Sequence, residues 1–402
     1  MDPSSVLPVE LLSKIFRHYL TDREDPVQSF DFCNGLWVLV NVNSAWRSMA
    51  NSSKSLWSTI TITKAFMRDT RKDAAPLSDR SLVSRKNANE IRKEILTEIL
   101  RRSGSCPLII SISFPLSLQR GEVIRSSDYQ PLCAILAVHC HRWQSVDIKG
   151  PPYLLNHFVH LPSSQLQSLQ KLHVIVGDKA VLGQVLHICS GLVELVTGAS
   201  KGECTLGRIE MPALEHLEII GDTRALDCIS AHHLRSLKIE CDPFANMRSD
   251  HRGSPVLDFL RHSECSVRAM DVYWCGTHDD LEAILSLTPS LESLKCCIHF
   301  NRAFLAKMKS PSSLFPHLHT LTLRFGQTIR FPHVKFILDI VESRLESGFL
   351  KRVNIHPVGK TSVQMFDERL AAINAIPDVT VWLEDIYMRH VYSGLVIEDD
   401  LP

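Results

Sequence analysis

The feature that most constrains this chain is a recurring apolar pattern, L-x-x-L-x-L and its variants. It reads HRWQSVDIKG, LQSLQKLHVIVG, MPALEHLEIIG, AHHLRSLKIEC, SVRAMDVYWCG, TPSLESLKCCIH, FPHLHTLTLRFG and SGFLKRVNIHP, with a weaker copy GLVELVTG at Gly191. First anchors fall at Trp143, Leu169, Leu214, Leu234, Val267, Leu291, Leu318 and Leu350; with the weaker copy included, neighbouring anchors stand from 20 residues apart (Leu214 to Leu234) to 33 (Leu234 to Val267). Alternation of this kind predicts short strands. Between the copies lie segments with i, i+3, i+4 apolar spacing, such as SPVLDFLRHS, HDDLEAILSLTP and PHVKFILDIVESRLES, which predict helices. Strand then helix, repeated, gives parallel strands with helices on the outer side. One repeat cannot bury its apolar face alone, so the copies must stack into one continuous core. The expected class is α/β, a curved solenoid with strands inside and helices outside.

The alternation also assigns faces. Leu172, Leu217, Leu237, Met270, Leu294, Leu321 and Val353 are expected to point into the core. Residues one position on then project to the opposite side. That offset selects Glu218, Ile220, Lys238, Glu240, Asp271, Tyr273, Lys295, Thr322 and Arg324 as a candidate target-binding surface, and the equivalent positions Asp147, Lys149, His173, Ile175, Cys297, Asn354 and His356. In a helix-backed solenoid this strand face lines the concave side. Its mixed charges with Ile220 and Tyr273 suit a protein partner better than nucleic acid. For any single residue, the plain alternative is the solvated side of a sheet.

The N-terminal part reads differently. Residues 1–62 form a small helical unit, 63–105 a charged linker and helix, 106–385 the repeat region and 386–402 a tail. A first helix starts at Pro8, where a missing N–H costs nothing, and carries Leu11, Leu12, Ile15, Phe16 and Tyr19 at helical spacing. LWVLVNVNSAWRSMAN resumes an apolar period, and LWSTITI alternates like a strand. In the linker, NANEIRKEILTEILRRSG is helical and ends at Gly104, while MRDTRKDAAPLSDRSLVSRK is expected to be a mobile loop.

LPVELLSKIF followed by VNVNSAWRSMANSSKSLW resembles an F-box: Leu7-Pro8, Glu10, Ile15-Phe16, Val42 with Trp46-Arg47, and Leu56-Trp57, in that order. The whole chain resembles fungal F-box proteins with a divergent leucine-rich-repeat-like C-terminal region. The resemblance implies a helical module that docks on the Skp adaptor of a cullin-based ubiquitin ligase. Leu7, Pro8, Leu11, Ile15, Val42, Trp46 and Trp57 would form the docking surface. Leu12, Phe16 and Leu39 read as the module's own core. Leu7, Pro8 and Trp57 read as interface because they flank the helical run. The implied role is that of a substrate receptor, with a target protein held by the repeats. A scaffold outside any ligase is the alternative, and an enzyme with an unrecognised site a more distant one.

No catalytic pattern competes with this reading. The sequence has no phosphate loop, no G-x-S-x-G and no H-E-x-x-H. His139, Cys140 and His141 lie near Cys133, but no C-x-x-C pair completes a zinc site. Cys296 and Cys297 are neighbours on a strand and face opposite ways. No cofactor or metal is expected. The formal net charge of zero gives no reason to expect nucleic acid or an anionic membrane as partner. No run of eighteen apolar residues predicts a membrane span. The twelve cysteines are scattered, several in apolar patterns, which suits a reducing intracellular compartment, cytoplasmic or nuclear.

Overall fold

The structure is a computed structural model and describes residues 8–21, 29–30, 35–63, 79–114, 126–176, 179–199, 207–240, 254–273, 278–298, 301–309, 315–328, 331–346, 350–358, 367–376 and 380–383. The chain divides into two compact units, residues 1–213 and 214–402.

The first unit opens with helices α1 (Val9–Thr21), α2 (Leu36–Val42) and α3 (Ser44–Ser52) and a 3-10 turn, Lys54–Trp57. The segment expected as one apolar run is therefore two helices. Asn43 breaks it, with extended backbone (φ −156°), and its side-chain oxygen accepts the Trp46 N–H at 2.8 Å. That cap satisfies an N–H which has no partner inside α3. Strand β1 (Thr59–Thr63) follows, then α4 (Asp79–Ser103), β2 (Leu108–Ser113), α5 (Ser126–Val138), β3 (Trp143–Lys149), β4 (Lys171–Val176), α6 (Lys179–Ile188), β5 (Glu194–Ala199) and β6 (Ile209–Glu210). Strands β1 to β5 pair in sequence order, all parallel. One buried row runs through Ile60, Ile110, Val146, Leu172 and Leu195.

Helix α4 starts earlier than the sequence suggested. Residues 79–86, placed in the expected mobile loop, are helical; residues 67–78 of that loop lie outside the described residues. Its C-terminal half buries Leu96, Ile99 and Leu100, and packs on α5 and on the Lys54–Trp57 turn. Gly104 ends it in the left-handed region (φ +57°), where a side chain would strain the backbone.

The second unit contains β7 (His216–Ile220), β8 (Ile229–Ser230), β9 (Ser236–Glu240), α7 (Pro255–Ser263), β10 (Ala269–Tyr273), α8 (His278–Ser286), β11 (Ser293–Ile298), α9 (Arg302–Lys309), β12 (Thr320–Thr328), α10 (Phe331–Glu346), β13 (Arg352–Val358), α11 (Asp367–Asn374) and β14 (Thr380–Leu383). Strands β7, β9, β10, β11, β12, β13 and β14 pair in that order, all parallel. Leu217, Leu237, Met270, Leu294, Leu321 and Val353 stand side by side in register and are buried. Helices supply the rest of the core at i, i+3, i+4 spacing: Val256, Phe259 and Leu260, then Leu281, Ile284 and Leu285, then Ile337, Ile340 and Val341. Each such Leu or Ile contributes about 1.5–3 kcal/mol by leaving water.

The copies are equivalent at the backbone as well. The carbonyls of Glu215, Arg235, Arg268, Glu292 and His319 each accept two consecutive N–H groups at the entry of the next strand. Connector type explains the uneven spacing. The short step from Leu214 to Leu234 is crossed by a 3-10 turn (Thr223–Cys228), the long one to Val267 by α7.

Candidate docking surfaces

Helix α1 carries two apolar rows, and they have different fates. Leu12 and Phe16, four residues apart, are buried, and Phe16 packs on Trp46 with ring centroids 4.9 Å apart. Leu11 and Ile15, the adjacent row, are each 46% exposed. Val42, at the end of α2, is 52% exposed. Pro8 is exposed, and its carbonyl accepts the N–H groups of Leu11 and Leu12. Trp46 is half-buried, and Leu7 lies outside the described residues. Leu39 is buried. An isolated exposed leucine needs no explanation, but a second apolar row on one short helix leaves a surface that gains by being covered.

Trp57 is a correction. Expected on the docking surface, it is 1% exposed. Its Nε1 donates to the Ala50 carbonyl at 2.8 Å, its ring meets Trp37 edge-on at 5.3 Å, and the Arg102 guanidinium of α4 lies 4.4 Å from the ring centroid. The signal was present in the sequence. Trp57, Ile60 and Ile62 repeat the spacing of Trp143, Val146 and Ile148, so Trp57 is the first anchor of a repeat strand. Both tryptophans are buried, and Ile60 and Val146 lie in one row of the sheet.

The second surface is the strand face of the second unit opposite the buried row. Its first row, in register, is Glu218, Lys238, Asp271, Lys295, Thr322 and Asn354; its second is Ile220, Glu240, Tyr273, Cys297, Arg324 and His356. The first row alternates in charge. Lys238 Nζ donates to Glu218 at 2.6 Å and stands 3.7 Å from Glu240, and Lys295 Nζ donates to Asp271 at 2.5 Å. Burial works against the Lys238 charge, yet its pKa is raised, because the hydrogen bond to Glu218 and the charges of Glu218, Glu240 and Asp271 outweigh it. Lys295 and Arg324 also flank Tyr273, at 5.7 and 5.2 Å from its ring centroid. Thr322 is a second correction: at 7% exposure it is covered, and its hydroxyl oxygen accepts from Asn354 Nδ2 at 3.2 Å. In the first unit, Asp147 on the equivalent face stands 3.1 Å from His173 and 3.6 Å from Lys149, and accepts from Ser111 Oγ at 3.3 Å.

The His139–His141 segment lines a broad open groove with Arg101, Arg142 and Gln144. Its cations are engaged elsewhere. Arg142 donates to the Cys106 carbonyl and to Ser103 Oγ, and Arg101 to Glu98. The pKa of His139 is lowered by burial, then by the charges of Arg142 and His141. Cys140 Sγ donates to Gln165 Oε1. Among the described residues, no group of three or more His, Cys, Asp or Glu is placed to hold a metal ion, and no helix is long and apolar enough to cross a membrane.

No curated protein matches the chain. The model of the F-box-like family matches residues 4–63, which span α1, α2, α3 and the whole of β1. Such a domain implies a role in protein–protein interaction. Residues 4–63 are an F-box-like domain.

Proposed function

We propose that this chain is a substrate receptor of a cullin-based ubiquitin ligase. The F-box-like domain docks on a Skp-type adaptor through Leu11, Ile15 and Val42, with Leu7, Pro8 and Trp46 at the margin. The observation that carries this reading is the unburied Leu11–Ile15 row on a helix whose other apolar row already serves the module's core. An adaptor that covers it recovers the burial energy the isolated chain forgoes. The strand region is a divergent leucine-rich-repeat-like solenoid, and its polar strand face holds the target protein. The chain itself performs no chemistry; ubiquitin transfer belongs to other subunits.

Affinity purification of the full chain from cells tests the assignment. Adaptor and cullin should both co-purify, and bound targets should accumulate when the proteasome is inhibited. Recovery of adaptor without cullin would make the protein a scaffold outside any ligase. Recovery of neither would reject the docking role.

A further inference from the structure

The two strand-face rows described above carry six charged side chains, Glu218, Lys238, Glu240, Asp271, Lys295 and Arg324; a further cation of that face, Arg352, stands exposed at the start of β13 opposite Thr320, four residues along the strand from the level of Arg324. Five of them compensate one another locally, through the pairs Lys238–Glu218, Lys238–Glu240 and Lys295–Asp271. Arg324 is the exception. Among the described residues no carboxylate pairs with it, its Nε is buried without an acceptor, and its guanidinium rests against the Tyr273 ring. The charge surplus that would balance it sits at Glu240 on β9, three strands away. Three strand spacings are about 14 Å, longer than the screening length of about 8 Å at physiological salt. The β12–β13 register also breaks directly after Arg324, between Arg324 and Thr328. Such irregularities re-aim side chains and occur beside functional positions.

We infer that this face binds a segment of the target protein carrying an aspartate or glutamate, whose carboxylate is held by the Arg324 guanidinium against Tyr273. The inference rests on the reading of the strand face as the target site. A planar guanidinium presents two parallel N–H donors that match one carboxylate. The Tyr273 ring holds it in place, so little freedom remains to be lost on binding. A phosphate dianion would call for a second free cation, and the neighbouring lysine, Lys295, is already tied to Asp271 at 2.5 Å.

The probe is a random-peptide display library selected on the immobilised full chain. Selected peptides should share one Asp or Glu position. Replacing that residue by its amide, or Arg324→Gln in the protein, should each weaken a selected peptide about tenfold or more, and the two together should cost no more than either alone. Arg324→Glu should restore binding of the peptide with lysine at that position. The melting temperature of Arg324→Gln should equal that of the wild type. Selection of no peptide, selection without a shared acidic position, or a requirement for phosphoserine there overturns the inference. Selected peptides that are weakened by Tyr273→Ala with Lys295→Glu but indifferent to Arg324→Gln refute the carboxylate contact and leave the strand-face reading standing. Indifference to all three substitutions refutes both.

Discussion

Trp57 and Leu11 are apolar residues of one small domain, one buried and one exposed, and substitution separates them. Trp57→Ala removes a ring packed against Trp37 and Arg102, and should cost about 3–5 kcal/mol of stability. Leu11→Ala on the exposed row should change the melting temperature little and weaken adaptor binding. A thermal melt beside a binding assay reads both. The sequence placed Leu12 and Phe16 inside through their spacing, while the place of Trp57 emerged only from comparing its spacing to Ile60 and Ile62 with that of Trp143 to Val146 and Ile148. Leu56 and Ser58 flank Trp57 in the chain, and its partner Arg102 arrives from a helix distant in sequence. Titratable groups give two further expectations. Burial pushes the Cys133 and Cys189 thiols up to about 12 and raises Cys296 further. These three should resist alkylation of the native protein at mildly alkaline pH, where the partly exposed Cys106 and Cys297 react before them; peptide mapping of the labelled protein reports the order. Hydrogen bonding to Arg101, with a smaller share from Arg102, holds the Glu98 carboxyl at about 2 against opposing desolvation. A folded-state value below the unfolded one stabilises above the ordinary carboxylate range, and the contribution fades as pH falls from about 4.5 towards 2. Glu98 is partly exposed and solvent-screened, so Glu98→Gln should remove only about 0.5 kcal/mol, and only above that range.

Elements were legible where one periodicity ruled. The alternation in LEHLEII, LRSLKIE and LESLKCC fixed both strand and face, because a one-residue slip would turn Leu217 or Leu237 to solvent. The structure keeps those residues in one buried row. Leu237→Ala should therefore lower stability by about 2–5 kcal/mol, while Lys238→Ala, one residue on, should change it by no more than about 1 kcal/mol; urea unfolding midpoints compare them. Two strands of the sheet were less legible. In β2, Leu108, Ile110 and Ile112 alternate, but Pro107 stands where a leucine anchor would start the motif. The β1 pattern was visible as a strand, yet its place beside β2 depends on pairing across the whole of α4. The break at Asn43 also escaped the apolar period, because Val42 and Ala45 continue that period across it. The candidate docking face was half legible. The sequence showed the apolar stripe on α1, while only packing could show which row of it remains uncovered.

For the molecule as a whole, the F-box-like domain is not a bead on a tether. Its last strand, β1, is hydrogen-bonded into the first unit's sheet from Thr59 to Thr63, and α4 closes over Trp57. A fragment of residues 1–63 would lose both the partner strand and that cover. It should show no cooperative thermal transition by circular dichroism, where the full chain melts cooperatively. Coupling of this kind gives the helices of the F-box-like domain a fixed attachment to the strands of the first unit. The most direct measurement is calorimetric titration of the full chain with a purified Skp-type adaptor, comparing the wild type with Leu11→Asp plus Ile15→Asp. The wild type should bind saturably. The double variant should keep its melting temperature and lose at least about thirtyfold in affinity, the equivalent of about 2 kcal/mol. A wild type that does not bind, or a double variant that binds as tightly, would contradict the account.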